Sequence, residues 1–446
     1  VQPCFPEAGA EVAASVSGPL AGVPVSVKEC FPVRGLATTL GIEARRGARD
    51  SADAEIVSRL RAAGAVVVGK ANVPQAMFLH ETDNPVWGRT NHPLDASRGP
   101  GGSSGGDAAL VAAGVVPLAV GNDLAGSLRQ PAHACGIASL VPRSTVLGEG
   151  GAVDTLPHLE VVRPRAGFLA AAVADLRLAL QAIARDDAPL AGVKGLRIGW
   201  WDETGPIPPS PAIVRAVGEA VARLARSGAV TVPLPGDLAC EAAWVHLAIL
   251  GADGGADIRA LFAGGRPIPG VARLLALAGM PRIVRPGLAL LARLTGRMIE
   301  AEGVVRTGPR SAADRARLLA AREDVAVRCA GAFAGLDAIV CPVSALPALR
   351  HGTAARLVLA AAPCLLANLL DLAAGSVTVA EVRADEESAR PWSRDPVLRA
   401  AAACDRGSAG LPVGVQVVAC PGRGEATVLD VMDVIEAGAL SRQGGR

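Results

Sequence analysis

The sequence predicts an α/β protein: a mixed, mainly parallel β-sheet covered by helices on both faces, folded as one domain. Three observations carry this expectation. Short apolar runs alternate with helix-patterned segments along the chain, as a sheet buried on both sides requires. The 446 residues, 50% of them hydrophobic, suffice for one large core. No internal repeat or low-complexity linker divides the chain.

The elements follow in order. Residues 23–27 form an apolar run that reads as a buried strand. Asp50 or Ser51 is the expected cap of a helix reaching residue 63, with Ile56, Val57 and Leu60 on its apolar side and Gly64 as its stop. Residues 65–68 are the next strand. A short helix over 105–113, a strand over 115–120 and a helix over 170–184 come next. After a strand over 196–201, Ser210-Pro211 opens a helix with a capping serine and a first-turn proline. A helix over 311–334, strands over 338–343 and 413–419, and a helix over 425–436 complete the pattern.

Composition excludes several classes. Forty-four basic and 42 acidic residues leave a net charge of +2, and no basic run carries interleaved aromatics, so nucleic acid is not an expected partner. The nine cysteines, at 4, 30, 135, 240, 329, 341, 364, 404 and 420, show no CxxC spacing. They read as buried thiols of a reducing, cytoplasmic environment. With six histidines and no helical His pair, no metal site or other cofactor is expected. No signal-peptide pattern opens the sequence. The longest charge-free apolar run, residues 357–370, contains Pro363 and is shorter than the roughly 20 residues of a membrane-spanning helix.

The chemistry concentrates in residues 98–131. Ser103 and Ser127 lie 24 positions apart in glycine-rich surroundings, and Lys28 ends the apolar run 23–27. A serine hydroxyl needs a base to take its proton. A neutral lysine can serve, because burial lowers its pKa from about 10.4 by roughly 3–5. Ser103, flanked by two glycines on one side and by Ser104 and two more on the other, can relay that proton to Ser127. Asp123-Leu124-Ala125-Gly126-Ser127 follows a strand and can present backbone N–H groups as an oxyanion hole. Plainer readings stand beside these: a lysine paired with Glu29, a flexible Gly/Ser loop, an ordinary strand-to-helix turn. Gly101-Gly102-Ser103-Ser104-Gly105 also fits the G-x-S-x-G nucleophile elbow, although no apolar strand precedes it.

These residues resemble the amidase signature family. The matching segments are GPLAGVPVSVKECF (18–31), GAVVVGKANVP (64–74), RGPGGSSGGDAA (98–109) and DLAGSLRQPAHACG (123–136). The resemblance implies one amidase-signature-type domain over 1–446. It also implies amide hydrolysis through an acyl-enzyme, with Ser127 as nucleophile, Ser103 as cis-serine, Lys28 as base and the Leu124, Ala125, Gly126 and Ser127 amides as oxyanion hole. The cis peptide bond is expected at Gly102–Ser103 or Ser103–Ser104, with the resemblance favouring the second. Lys28-Glu29-Cys30-Phe31, Asn72-Val73-Pro74-Gln75 with Met77 at the substrate site, and Gly410-Leu411-Pro412-Val413 are most similar to fatty acid amide hydrolases.

Several positions depart from the family. Ala125 stands for glycine, Asn122 for threonine, Val141-Pro142-Arg143 for Lys-Pro-Thr, and Arg163-Pro164-Arg165-Ala166-Gly167 for Gly-Pro-Met-Ala-Arg. The family also carries further helical N-terminal residues that this sequence lacks.

Residues 266–300 read as an apolar helical hairpin, broken at Pro281 and Pro286 and punctuated by Arg273, Arg282, Arg285, Arg293 and Arg297. Such a segment can lie in a membrane interface, and the resemblance places it as a membrane cap beside the active-site mouth. The expected partner is a small-molecule amide, hydrophobic and fatty-acyl in kind. Peripheral membrane contact and a homodimer are left open. Two other functions compete: a catalytically silent scaffold or partner subunit, and a soluble short-chain or aryl amidase or esterase.

Overall fold

The computed structural model describes residues 2–3, 17–184, 191–387 and 390–443; Cys4 falls outside them. One sheet runs through the molecule. Its strands are β1 (Pro24–Lys28), β2 (Val66–Ala71), β3 (Leu118–Asp123), β4 (Ala138–Val141), β5 (Arg165–Ala170), β6 (Arg197–Trp200), β7 (Val230–Pro233), β8 (Ala338–Pro342), β9 (Ala374–Glu381) and β10 (Pro412–Ala419). Gln2–Pro3 adds a short edge strand, and the order across the sheet is Gln2–Pro3, β2, β1, β3, β5, β4, β9, β10, β8, β6, β7.

The sheet is mixed, as expected, but its parallel pairs are confined to the flanks: β2–β1–β3 on one side and β8–β6–β7 on the other. From β3 through β5, β4, β9 and β10 to β8, every pairing is antiparallel. Alternation of strands and helices in a sequence does not fix strand direction, and antiparallel neighbours need no crossover helix.

The helices are α1 (Glu55–Ala62), α2 (Gly105–Ala112), α3 (Arg129–Cys135), α4 (Val173–Ala184), α5 (Pro211–Arg226), α6 (Asp237–Leu250), α7 (Pro269–Ala278), α8 (Arg285–Leu294), α9 (Met298–Arg306), α10 (Ala312–Ala332), α11 (Pro396–Asp405) and α12 (Glu425–Gln443). Helices α4, α5 and α12 pack on the sheet and on one another, while α2 and α3 form a second packed group against it. Central strands such as β10 are therefore buried along their whole length.

Two expected caps behave differently in the structure. Helix α1 starts after Ala54 rather than at Asp50, because the Asp50 carboxylate accepts from Thr38 Oγ1 at 2.7 Å and from the Val33 amide at 3.3 Å. Ser210 precedes Pro211 as expected, yet its hydroxyl donates to Asp405 at 2.6 Å instead of capping α5. Ser311 does cap α10, accepting from the Asp314 amide at 3.2 Å.

Residues 266–300 are helical, comprising α7, a 3-10 turn at Arg282–Val284, α8 and the start of α9. Pro286 sits in the first turn of α8, where its missing N–H costs nothing. Arg285 turns inward and donates to the carbonyls of Leu277, Ala278, Met280, Val304 and Thr307. It thus satisfies carbonyls at the C-terminal ends of α7 and α9 rather than facing outward. Ile283, Leu290, Leu291, Leu294 and Met298 remain exposed.

Candidate active site

Lys28 ends β1, between β2 and β3, and is fully buried. Its Nζ lies 2.7 Å from Ser103 Oγ, 2.7 Å from Asn122 Oδ1 and 3.2 Å from Asn122 O. A neutral amine has two N–H bonds and one lone pair. Asn122 supplies two acceptors for the N–H bonds, which leaves the lone pair facing the Ser103 hydroxyl. The Asn122 departure thus places a side-chain oxygen on the lysine. Burial pushes the Lys28 pKa down, against the opposing pull of Cys30, Asp107 and Asp123. Glu29 does not pair with it. That carboxylate accepts from the Thr39 amide at 2.6 Å and the Leu40 amide at 2.8 Å.

The Asp107 carboxyl is also buried close to this group. Burial raises its pKa to about 7, and Ser26 Oγ donates to it at 2.8 Å.

Ser103 lies in the loop that leads into α2. The cis bond is Gly102–Ser103, not the favoured Ser103–Ser104. Gln130 Oε1 accepts from the Gly102 amide at 3.1 Å. No strand runs into this loop, so the G-x-S-x-G match is not a nucleophile elbow.

Ser127 sits on the turn between β3 and α3, and its carbonyl receives the Ser104 amide at 3.2 Å. Ser103 and Ser127 line the same cavity, and no hydrogen bond joins their hydroxyls in this structure. Asp123 organises the turn, its carboxylate accepting from the Gly126 amide at 2.8 Å and the Leu128 amide at 3.0 Å. Burial alone would raise the Asp123 pKa, but the Arg129 charge and these hydrogen bonds hold it well below the usual carboxylate range. Arg129 in turn reaches Asp123 Oδ1 at 2.9 Å, the Cys364 carbonyl at 2.9 Å and Gln416 Oε1 at 2.9 Å. Both partners are fully buried. Arg129→Ala should therefore lower unfolding free energy by about 3–5 kcal/mol, because it strands a buried carboxylate; chemical denaturation measures this.

Gly126 has φ 92°, and a Cβ there would stand 3.0 Å from Cys364 Cβ, so only glycine fits. Its amide is committed to Asp123, while Leu124, Ala125 and Ser127 line the cavity. Ala125 needs no left-handed backbone, and its carbonyl lies 3.1 Å from His80 Nε2. Burial pushes the His80 pKa down to about 4, so a neutral ring holds this peptide. Sequence reasoning missed His80, Arg129 and Asn368, whose side-chain amide donates to Asp123 Oδ1 at 2.9 Å; most of their partners are distant in sequence. His133, the nearest histidine in sequence, is occupied elsewhere: Nε2 meets the Leu346 carbonyl at 3.0 Å and Nδ1 accepts from the Gly414 amide at 3.0 Å.

The remaining departures lie in the supporting structure. Arg163 pairs with Glu149 at 2.8 Å and Asp154 at 2.9 Å. Arg165 donates to the Leu372 carbonyl at 2.9 Å, and Arg143 pairs with Glu425 at 2.8 Å. His158, Asp253 and Asp257 also meet. Asp253 accepts from the Gly255 and Asp257 amides, and His158 Nδ1 lies 2.6 Å from Asp257 Oδ2.

A cavity of about 780 Å³ opens over Ser103 and Ser127. Met77, at φ 54°, forms part of its wall near the serines. Leu274, Leu277, Leu288 and Leu291 of the hairpin form another part. The hairpin thus lies beside the cavity, as expected.

Comparison with known proteins agrees with this architecture. A family model described as amidase matches residues 6–429. Fatty-acid amide hydrolase 1 of Sus scrofa is 31% identical over 455 residues, covering 96% of this chain and 77% of that protein. Fatty acid amide hydrolase 1 of Caenorhabditis elegans is 29% identical, covering 94% and 77%. A solved fatty acid amide hydrolase superposes with a TM-score of 0.78 at 20% identity, covering 94% of this chain and 74% of that one.

Proposed function

The chain belongs to the amidase signature family and is an amide hydrolase, and from this premise we propose that it cleaves hydrophobic, fatty-acyl-type amides through an acyl-enzyme on Ser127. The observation that carries the reading is the buried Lys28–Ser103 contact of 2.7 Å, with Ser103 and Ser127 lining one apolar cavity.

The steps follow from the groups present. Ser127 Oγ attacks the amide carbon while its proton passes to Ser103 Oγ, and the Ser103 proton passes to the Lys28 lone pair. The carbonyl π electrons move onto oxygen, and the Leu124, Ala125 and Ser127 amides donate hydrogen bonds to that oxyanion. As the C–N bond breaks, the proton returns from Lys28 through Ser103 to the leaving amine. Water then repeats the sequence against the ester, releasing the acid and restoring Ser127. His80 and Asp123 hold the 125–126 peptide from its two ends, which keeps the donor amides in place.

The hairpin leucines on the cavity wall support an apolar acyl group. Exposed Ile283, Leu290, Leu294 and Met298 support peripheral contact with a membrane, from which such a substrate would enter. No helix among the described residues is long and apolar enough to cross a bilayer.

A series of primary amides from acetamide to oleamide, assayed with and without liposomes, tests the reading. Each buried methylene is worth about 0.8 kcal/mol, so kcat/KM should rise about fourfold per methylene until the cavity is filled. A flat or falling series without lipid co-sedimentation would leave a soluble short-chain or aryl amidase.

A further inference from the structure

A second cavity, of about 580 Å³, adjoins the first. Its lining includes Arg273, Arg297, Arg356, Arg394 and Arg399, and it shares Arg273, Thr295, Arg297 and Arg356 with the wall of the first. The apolar space over Ser127 therefore runs into a cationic well.

The well is short of acids. Glu300 serves Arg273 at 2.8 Å and Arg297 at 2.6 Å. Asp395, next in sequence to Arg394, is already consumed. It accepts from the Val397 amide at 2.8 Å and from the Ile299 amide at 3.1 Å. The guanidinium groups of Arg356, Arg394 and Arg399 have no hydrogen bond or ion pair among the described residues.

The well is also a built feature of the fold. The Arg394 stem lies against Gly296, where a Cβ would stand 3.2 Å from Arg394 Cβ. With the Ile299–Asp395 hydrogen bond, this fixes the 393–396 segment to the turn between α8 and α9. Arg399, on α11, faces the same space from the other side.

We propose that this well binds the anionic headgroup (phosphate, sulfonate or carboxylate) of an amphiphile whose apolar chain lies in the cavity over Ser127. Guanidinium groups match such oxyanions with paired N–H donors, and two adjoining cavities of opposite character suit a ligand with one charged end. The inference deepens the proposed function by adding an anionic class to the ligands of the same cavity. It rests on that reading only for the chain's place, not for turnover.

Calorimetric titration with octyl phosphate below its micellar concentration tests it without any catalysis. Octanol and inorganic phosphate serve as the two half-ligands. The triple variant Arg356→Gln/Arg394→Gln/Arg399→Gln removes guanidinium groups without partners among the described residues, while glutamine keeps the Cβ of residue 394 against Gly296. Octyl phosphate should bind wild type at least about tenfold more tightly than either half-ligand, and the triple variant should lose about tenfold or more, with octanol unchanged. Equal affinity of both proteins for octyl phosphate would overturn the proposal. So would inorganic phosphate binding as tightly as octyl phosphate. Phosphatidylglycerol and phosphatidylcholine vesicles separate the source of the anion. If the variant loses only phosphatidylglycerol binding and keeps octyl phosphate, the arginines serve a bilayer surface and the cavity proposal fails. Binding intact in a protein that hydrolyses no amide would instead remove the proposed function and leave the well standing.

Discussion

Ser127→Ala should lower kcat for amide hydrolysis by a factor on the order of 10⁴ or more while the protein stays folded. Its hydroxyl is the one placed on the Asp123-ordered turn, in the cavity that Leu124 and Ala125 also line. Removing one oxygen leaves the rest of that turn intact. Asp123 still accepts from Gly126 and Leu128, and the Ser127 carbonyl still receives the Ser104 amide. A fluorophosphonate probe should label wild type once and the variant not at all. Ser103→Ala should also be slow, but it keeps the nucleophile and should retain slow labelling. Labelling of Ser127→Ala at the wild-type rate would move the nucleophile elsewhere. Absence of labelling in wild type would favour the silent scaffold reading.

Much of this site was legible because its signals are local. Lys28 at the end of an apolar run, the glycines around Ser103 and the small residues before Ser127 each state a backbone requirement within a few positions. Strands and helices with strong periodicity, such as β10 and α5, were legible for the same reason. Strands β4, β5 and β9 were not. Ser139, Gly167, Gly375 and Ser376 interrupt their apolar character, because neighbours approach closely there; Ser139 Oγ meets Ser376 Oγ at 2.9 Å across the ladder. Strand direction was illegible too, since the run from β3 to β8 is antiparallel by tertiary pairing alone. The groups that hold the site in place, His80, Arg129 and Asn368, are separated from their partners by up to 287 positions, as in Arg129–Gln416. No spacing rule connects residues that far apart. Asn122 was legible only as a departure from the family, and the structure makes it an acceptor on the lysine. The arginine well shows the same limit, since Arg273 and Arg399 come to line one cavity only in the fold.

Lys28 carries the second large effect, and it has a sign. Burial lowers the lysine pKa, so the amine is neutral at a pH where an exposed lysine would be charged. As pH falls through that lowered value, Lys28 gains a proton, its lone pair is lost, and kcat/KM should fall along a single acid limb. At higher pH the rate should level off. Stability follows the same sense. A lysine whose folded pKa is depressed favours unfolding as the pH drops, because the unfolded chain binds the proton more readily. Lys28→Ala should cost on the order of 10²–10⁴ in kcat and erase the acid limb together. Lys28→Met keeps more of the buried volume and serves as the folding control. It should match Lys28→Ala in rate while unfolding at higher denaturant. The measurement is kcat/KM against pH for all three proteins, with circular dichroism as an independent check of folding. His133 is committed to backbone groups on both ring nitrogens and offers no substitute base. A profile unchanged in height and shape in Lys28→Ala would therefore overturn the Ser-Ser-Lys relay itself, and not merely transfer it to the nearest histidine.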